Sequence, residues 1–272
     1  MSHTGNASGN FGQQSIIYPL QKLWSPTMLG SDFYAGFNAK DSGNLIITSG
    51  NSVDSWIDFS RNGRDVFSAS AKPIYNPSRF LGNPCVVFNN SPMDSFKNLP
   101  AGTTYSWLCL VKDSSSTSTL GEPFSIGTSL SSASLELVLN YGFITPNPFS
   151  QFNGAILGTA SGGTAIRTIP TLIGVGLQSG IGWARTNGIN GTNGGSSVNT
   201  ASALFRLGGS RPQATSNPYP LNGDLYCFVA IASSVGSANF LKTEGWIAWE
   251  FKMQSILPSF HPYRYRPPSI GD

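Results

Sequence analysis

Carboxylates and histidines are the side chains that most often move protons in catalysis, and this chain has few of them. It has four glutamates, which are Glu122, Glu136, Glu244 and Glu250. A retaining glycosidase holds two carboxyl groups about 5 Å apart on one face, and the run LELVL around Glu136 offers no second acid. Glu244 and Glu250 are predicted to be surface charges of a helix. The only histidines, His3 and His261, argue against a His-based triad, and His261 is predicted to be a packed structural group. We therefore predict no catalytic residue.

The sequence gives equally little support for a metal site or a nucleotide-binding site. The cysteines Cys85, Cys109 and Cys227 each lie in an apolar, strand-like run, where a free thiol behaves as a small buried hydrophobe. Three cysteines and two histidines show no zinc-ligand spacing, so neither a metal centre nor a disulfide framework is predicted. The stretch from Gly174 to Gly180 has the wrong spacing for a dinucleotide loop and predicts a strand of small residues.

The charge pattern excludes several partners. Charged residues make up 11% of the chain, against about 25% in an ordinary soluble protein. The formal charge of +3 includes no run of Lys or Arg that could follow a phosphate backbone, so no nucleic-acid partner is predicted. Cations concentrate only in the tail segment Tyr263, Arg264, Tyr265 and Arg266, which we predict to be a docking segment.

The chain also lacks the features of membrane insertion. Its first residues, MSHTGNASGNFGQQS, contain no charged region followed by an apolar one, and no later stretch reaches the roughly 18 apolar residues of a membrane span. We expect no signal peptide, no membrane partner, and synthesis in a cytoplasm where the thiols stay reduced.

Short apolar runs separated by Gly, Asn, Pro and Ser recur from Leu23 onward and predict an all-β sandwich or jelly roll. One helix is predicted at about 238–253, capped by Ser237 or Asn239 and covering one edge of the sandwich. The domain prediction is an N-terminal arm at 1–22, a jelly roll at 23–257 and an extended, Pro-rich tail at 258–272.

Two stretches carry a resemblance to a known family. Residues 49–90 contain W-x-D-x-S-x-N-G, P-x-Y and G-x-P-x-V-x-F, and residues 221–268 contain N-G-D, E-G-x-x-A-W, L-P-x-x-H-P-Y and a double proline. In this order and separation they resemble the concanavalin A-like, laminin-G-like jelly-roll domains of tailed-phage structural proteins. The resemblance covers roughly residues 23–268 and is specific only at its two ends.

The residues of these motifs have structural interpretations of their own. Asp58 and Asn62 are predicted to hold a tight turn through hydrogen bonds to nearby backbone N–H groups. Trp56, Phe88 and Trp246 are predicted to be core anchors. The alternative, Ca²⁺ bound by Asp58, Asn62 and Asp224 as in some laminin-G-like domains, needs six or more oxygens. No cofactor is predicted, with Ca²⁺ as the one alternative.

The resemblance implies a non-enzymatic virion protein of a tailed phage, in a tail fibre or baseplate or as a capsid decoration. Its partners would be other virion proteins and copies of itself, with a trimer expected. The second hypothesis is a lectin-like module that recognises a host surface glycan, with Trp183 or Tyr141 stacking on a sugar ring. A glycan hydrolase or lyase on the same fold is the third.

Overall fold

The computed structural model describes residues 22–114, 121–127, 135–139, 148–152, 155–159, 168–193, 202–209 and 219–272. Within these ranges the chain forms two antiparallel sheets that pack face to face, with helix α1 (Ala238–Glu250) on the outer face of one of them. The all-β sandwich with a C-terminal helix is confirmed. Tyr141 and residues 1–21 of the predicted N-terminal arm lie outside the described residues.

The first sheet, here called the helix-bearing sheet, carries the helix on its outer face. Its strands are β1 (Phe33–Asn38), β5 (Ile74–Asn76), β6 (Cys85–Asn89), β8 (Tyr105–Asp113), β13 (Thr171–Gln178), β14 (Ile181–Thr186), β15 (Ile189–Asn190) and β18 (Asn222–Ile231). They run in the order β15-β14-β13-β8-β18-β6-β5, and β1 also pairs with β18. The glycine-containing stretch at 174–180 is thus largely the strand predicted for it.

The second sheet closes the other side of the sandwich. Its strands are β2 (Leu45–Ile47), β3 (Val53–Trp56), β4 (Val66–Ser68), β7 (Met93–Ser95), β9 (Gly121–Gly127), β10 (Leu135–Leu139), β11 (Pro148–Phe152), β12 (Ala155–Thr159), β16 (Thr192–Asn193) and β17 (Leu204–Leu207). They run in the order β16-β12-β11-β10-β9-β17-β7-β4-β3-β2. Every pairing between these described strands is antiparallel.

Strands β8 and β18 show why some runs are apolar throughout. In β18, Leu225 and Phe228 face the core between the sheets, whereas Tyr226 and Val229 face α1. A strand covered on both faces needs apolar side chains on both, so its sequence loses the alternation of a half-exposed strand. The core between the sheets is rich in aromatic rings, and the rings of Phe124 and Phe228 stack at 4.5 Å.

Helix α1 begins at the predicted cap, where the Ser237 hydroxyl accepts a hydrogen bond from the Phe240 N–H at 3.3 Å. It buries Phe240, Ile247 and their neighbours against the helix-bearing sheet. A Cβ on Gly174 would lie 2.4 Å from the Phe240 ring, so this glycine lets helix and sheet approach closely. The helix ends three residues before the predicted boundary.

The end of α1 is a Schellman motif. The Met253 N–H bonds to the Ala248 carbonyl at 2.7 Å, and the Lys252 N–H bonds to the Trp249 carbonyl at 3.2 Å. Lys252 takes φ +56°, the left-handed conformation in which glycine is the usual residue at this position. The lysine therefore occupies a position that costs backbone energy.

Asp58 organises the turn predicted for the N-terminal motif. Its carboxylate accepts hydrogen bonds from the backbone N–H groups of Gly36 at 2.9 Å, Ser60 at 2.9 Å and Arg64 at 3.1 Å. Asn62 instead donates from Nδ2 to the Phe33 carbonyl at 2.6 Å. Asp58 thus holds the turn as predicted, whereas Asn62 ties the turn to carbonyls of β1 and does not accept from nearby N–H groups as predicted.

The cysteines are free and buried, as predicted. Burial raises the pKa of the Cys85 thiol to about 12 and raises the pKa values of the Cys109 and Cys227 thiols well above 9.0. Among the described residues, no helix has the length and apolar character needed to cross a lipid bilayer.

Candidate functional site

The C-terminal tail packs on α1 and on the start of the described chain. The Trp24 N–H bonds to the Pro268 carbonyl at 3.0 Å, and Leu23 forms an isolated bridge with Ser269. A Cβ on Gly245 would lie 2.5 Å from the Tyr263 Cβ, so this helix glycine makes room for the tail. The tail thus forms one wall of a surface whose other wall is the helix.

A buried ion cluster joins the tail, the helix and β14. The Arg185 Nε lies 2.9 Å from both carboxylate oxygens of Glu244, and the His261 Nε2 lies 3.2 Å from Glu244 Oε2. The His261 Nδ1 accepts a hydrogen bond from the Tyr263 N–H at 3.2 Å, which leaves the proton on Nε2 to be donated to Glu244.

This cluster corrects one prediction and agrees with another. Glu244, predicted to be a surface charge, is fully buried, because its charge is matched by the guanidinium of Arg185 across the helix-sheet interface. His261 is buried and hydrogen-bonded, as the packed structural interpretation required. The Arg185 Nη1 also donates to the Asn190 side-chain oxygen, so the arginine is held from two sides.

A groove of about 310 Å³ opens where the tail crosses the helix. We call it the tryptophan groove, and it is lined by Leu23, Trp24, Ser25, Trp246, Trp249, Glu250, Pro267 and Pro268. On α1, Trp249 and Glu250 follow Trp246 by three and four residues. Each of them therefore lies on the same helix face as Trp246. Trp246 is half-buried and packs against the core between helix and sheet, so it is a partly buried core residue, as predicted in part, and also a wall of this groove.

The groove combines fixed aromatic rings with one acid. The Trp249 Nε1 donates to the Tyr263 carbonyl at 2.7 Å, and the Trp246 ring lies 5.9 Å from the Phe59 ring. Glu250 is half-buried, with its Oε1 3.5 Å from the Asn38 amide nitrogen, and Lys40 bonds to its backbone carbonyl. Within the described residues no cation forms a salt bridge with the Glu250 carboxylate, which can therefore accept further hydrogen bonds.

An open depression of about 400 Å³ also borders Trp249. We call it the basic depression, and it is lined by Trp249, Lys252, Gln254, Ser255, Arg264 and Tyr265. Trp249 is the wall that the groove and the depression share. The groove and the depression therefore meet at Trp249, with Glu250 lining the groove and Lys252 and Arg264 lining the depression.

The predicted site residues are distributed unevenly over this surface. In the predicted docking segment, Arg264 and Tyr265 line the basic depression, Tyr263 is buried, and Arg266 pairs with Asp272 at 2.7 Å. Trp183 is half-buried against the helix-side core and lines neither cavity.

The roles of Trp246 and Trp249 as groove walls were not predicted from the sequence. Their i, i+3 spacing, followed by a double proline in the tail, was the available signal.

The structure does not bring Asp58, Asn62 and Asp224 together as a set of Ca²⁺ ligands. Asp58 already accepts backbone hydrogen bonds, and Asp224 pairs with Arg79 at 3.1 Å. In the described ranges, no three or more His, Cys, Asp or Glu residues are grouped so that they could hold a metal ion.

Comparisons with known proteins identify the fold but do not assign the chain to a family. No protein-family model and no curated protein matches the chain. The sialidase of Trypanosoma rangeli is similar over 81% of this chain and 33% of its own, with 10% identity and a TM-score of 0.54. Its complex with sialic acid gives 11% identity over 84% of this chain and 34% of its own, with a TM-score of 0.52.

A third similarity is to domain 4 of AbnA, an extracellular GH43 arabinanase of Geobacillus stearothermophilus in complex with arabinotriose. It has 16% identity over 74% of this chain and 93% of that domain, with a TM-score of 0.49.

The chain spans about a third of the length of the sialidases it resembles. Identities this low show a shared fold, here a β-sandwich. The prediction that the chain is not an enzyme is contradicted by the two sialidase similarities, because the fold is shared with part of a sialidase. These two similarities do not show a concanavalin A-like phage family.

Proposed function

We propose that this protein binds carbohydrate and that the tryptophan groove is where a sugar ring lies. The observation that carries the proposal is the pair of half-buried indoles, Trp246 and Trp249, next to the Glu250 carboxylate in one cavity. The predicted contact residue Trp183 is replaced in this role, since it does not line the groove.

The chemistry of the groove suits a sugar. An indole ring offers a rigid apolar face for the C–H side of a pyranose or furanose, and a carboxylate accepts hydrogen bonds from its hydroxyl groups. The Trp249 ring is already fixed through its Nε1, so little side-chain entropy is lost when it is covered. The volume lies at the lower end of the range of about 300–1,000 Å³ typical of small-molecule sites.

The fold supports the choice of ligand class. The β-sandwich is shared with part of a sialidase that has been described in complex with sialic acid. This makes glycans the first class of ligand to test.

The test is a glycan array followed by calorimetric titration of the ligands that bind. W246A and W249A should each weaken binding about tenfold, the size expected when about 1.4 kcal/mol of ring stacking is lost. W249F keeps a ring but cannot donate to Tyr263, so it separates stacking from positioning. F96A removes an exposed ring from a position outside the groove and should leave binding unchanged.

Three results would count against the groove. They are an array without any bound glycan, tryptophan variants that bind like the parent, and W183A as the only variant that loses binding. Chromatography of the glycan after each titration shows whether it is also cleaved.

The virion location, the virion partners and the trimer stay predictions from the resemblance. A sugar-binding module on a particle could serve attachment to a host surface, so the location and the proposed function are compatible. Cryo-electron microscopy of particles from the source lysate tests the location, and light scattering of the purified chain tests the trimer.

A further inference from the structure

The basic depression has the chemistry of an anion subsite next to the tryptophan groove. We infer that the glycan bound by this protein carries an acidic group, a carboxylate or a sulfate ester, and that Lys252 and Arg264 bind this group in the depression that Trp249 also lines. This inference rests on the proposed function, because it names the class of glycan that the same surface would accept.

The cations of the depression are not neutralised by any acid in the part of the chain that the structure describes. Within the described residues neither Lys252 nor Arg264 forms a salt bridge. The Arg264 Nη1 donates to the carbonyls of Gln254 at 2.8 Å and Leu257 at 2.6 Å, which fixes the guanidinium through one nitrogen. Its Nε and Nη2 have no hydrogen bond to a described residue and remain as donors for an oxyanion.

The backbone at Lys252 provides independent support. Its left-handed conformation is one that glycine adopts at lower cost, yet the position holds a long cationic side chain. Strain of this kind is concentrated at functional sites, where the side chain is needed for another purpose. Lys252 is also exposed, so its ammonium can reach a ligand.

The two cavities that share Trp249 give the glycan a direction. Glu250 borders the tryptophan groove, where it would repel an acidic group and accept from neutral hydroxyls. Lys252 and Arg264 border the depression. An oligosaccharide that crosses Trp249 therefore has its neutral ring in the groove and its acidic unit in the depression.

The experiment uses an array on which lactose, galactan and glucan oligosaccharides are each printed in three forms. These are the neutral glycan, a form with a sialyl or uronate carboxylate, and a form with a sulfate ester. The protein should bind acidic forms about three- to fivefold more tightly than neutral ones at low salt, the size of effect expected of an exposed ion pair. The preference should shrink as salt is raised. The carboxylate and sulfate forms identify the source of the charge.

The decisive variant is K252G, which removes the cation and relieves the backbone strain, so a loss of binding cannot come from a damaged fold. It should reduce the preference for acidic forms, with Arg264 left as the one cation of the subsite, and leave the affinity for neutral forms unchanged. K97A removes one exposed lysine elsewhere and should leave the preference intact. The inference is overturned if K252G keeps the preference, if K97A loses it equally, or if neutral forms bind as well as acidic ones.

The two proposals fail in different ways. Neutral and acidic forms that bind equally and depend on Trp249 leave the sugar-binding function standing and remove the anion subsite. Acidic forms that depend on Lys252 but not on Trp246 or Trp249 remove the tryptophan groove. An array without any bound glycan overturns both.

Discussion

The guanidinium of Arg185 on β14 lies 2.9 Å through its Nε from both carboxylate oxygens of Glu244 on α1, and both side chains are buried. His261 of the tail shares the same carboxylate. The pair therefore fixes the helix to the sheet and the tail to the helix, and the two cavities between tail and helix depend on it.

Breaking this pair should destabilise the protein strongly. E244Q leaves Arg185 buried without its counter-charge, so we expect a loss of about 3–5 kcal/mol in the free energy of unfolding. E250Q, a matched change one and a half turns further along the helix at a half-buried position, should cost less than about 1 kcal/mol. Urea denaturation followed by circular dichroism measures both.

A double variant separates the effect of the Arg185–Glu244 ion pair on stability from the effect of side-chain packing at the same place. In R185M/E244M both charges are replaced by apolar groups, and the loss should be well below that of E244Q, because no unpaired charge stays buried. Equal losses in E244Q and E250Q would show that the ion pair does not hold the helix to the sheet.

Gly245 should be required for the close approach of the tail. In G245A the new Cβ would meet the Tyr263 Cβ at 2.5 Å, and overpacking of this kind costs about 1–3 kcal/mol. The loss should appear even though alanine favours a helix by about 1 kcal/mol over glycine. We expect a lower melting temperature and faster proteolysis after residue 257.

The control for this change is G271A, because a Cβ at Gly271 meets no atom within 4 Å. Its melting temperature should match that of the parent. A stabilised G245A would mean that the tail does not pack on the helix as the structure has it.

The local features of this fold could be predicted from sequence, whereas the features that depend on distant partners could not. Ser237 as a helix cap, Asp58 as the centre of a turn and the buried run of β18 each follow from residues within a few positions. The burial of Glu244 depends on Arg185, which is 59 residues away and belongs to a strand. A lone glutamate on a helix has the pattern of a surface charge until that partner is known.

The candidate site shows the same limit. The spacing of Trp246 and Trp249 is visible in the sequence, but an apolar helix face is equally typical of a core. Only the tail, which returns over the helix and contributes Pro267 and Pro268, turns that face into the wall of a groove.

The buried thiols should make the protein sensitive to alkali. Burial raises the pKa of Cys85 to about 12, from an ordinary value of 9.0, and raises those of Cys109 and Cys227 as well. Above pH 9 the unfolded chain loses thiol protons that the folded chain keeps, so stability is complete below pH 9 and falls as the pH rises toward 12. Each thiol contributes a slope of up to about 1.4 kcal/mol per pH unit.

Unfolding free energies measured between pH 8 and pH 11 test this slope. C85A should lower it by about one thiol's share, whereas an unchanged slope in C85A would show that this thiol is accessible in the folded protein. In the native state at pH 8 the cysteines should also resist alkylation by iodoacetamide, and they should react once the chain is unfolded.

Lys252 should be the position where a substitution to glycine stabilises the protein. A non-glycine residue in the left-handed conformation costs about 1–2 kcal/mol, and the favourable interaction of a lysine with the helix C-terminus returns about 0.3–1 kcal/mol. K252G should therefore raise the free energy of unfolding by up to about 1 kcal/mol. The same substitution at Lys242, inside α1, should lower it by about 1 kcal/mol, because glycine weakens a helix interior. Thermal denaturation of the two variants side by side measures both signs. A K252G variant that is less stable than the parent would mean that the Lys252 side chain stabilises the fold itself, and the argument that its strain serves a ligand would be lost.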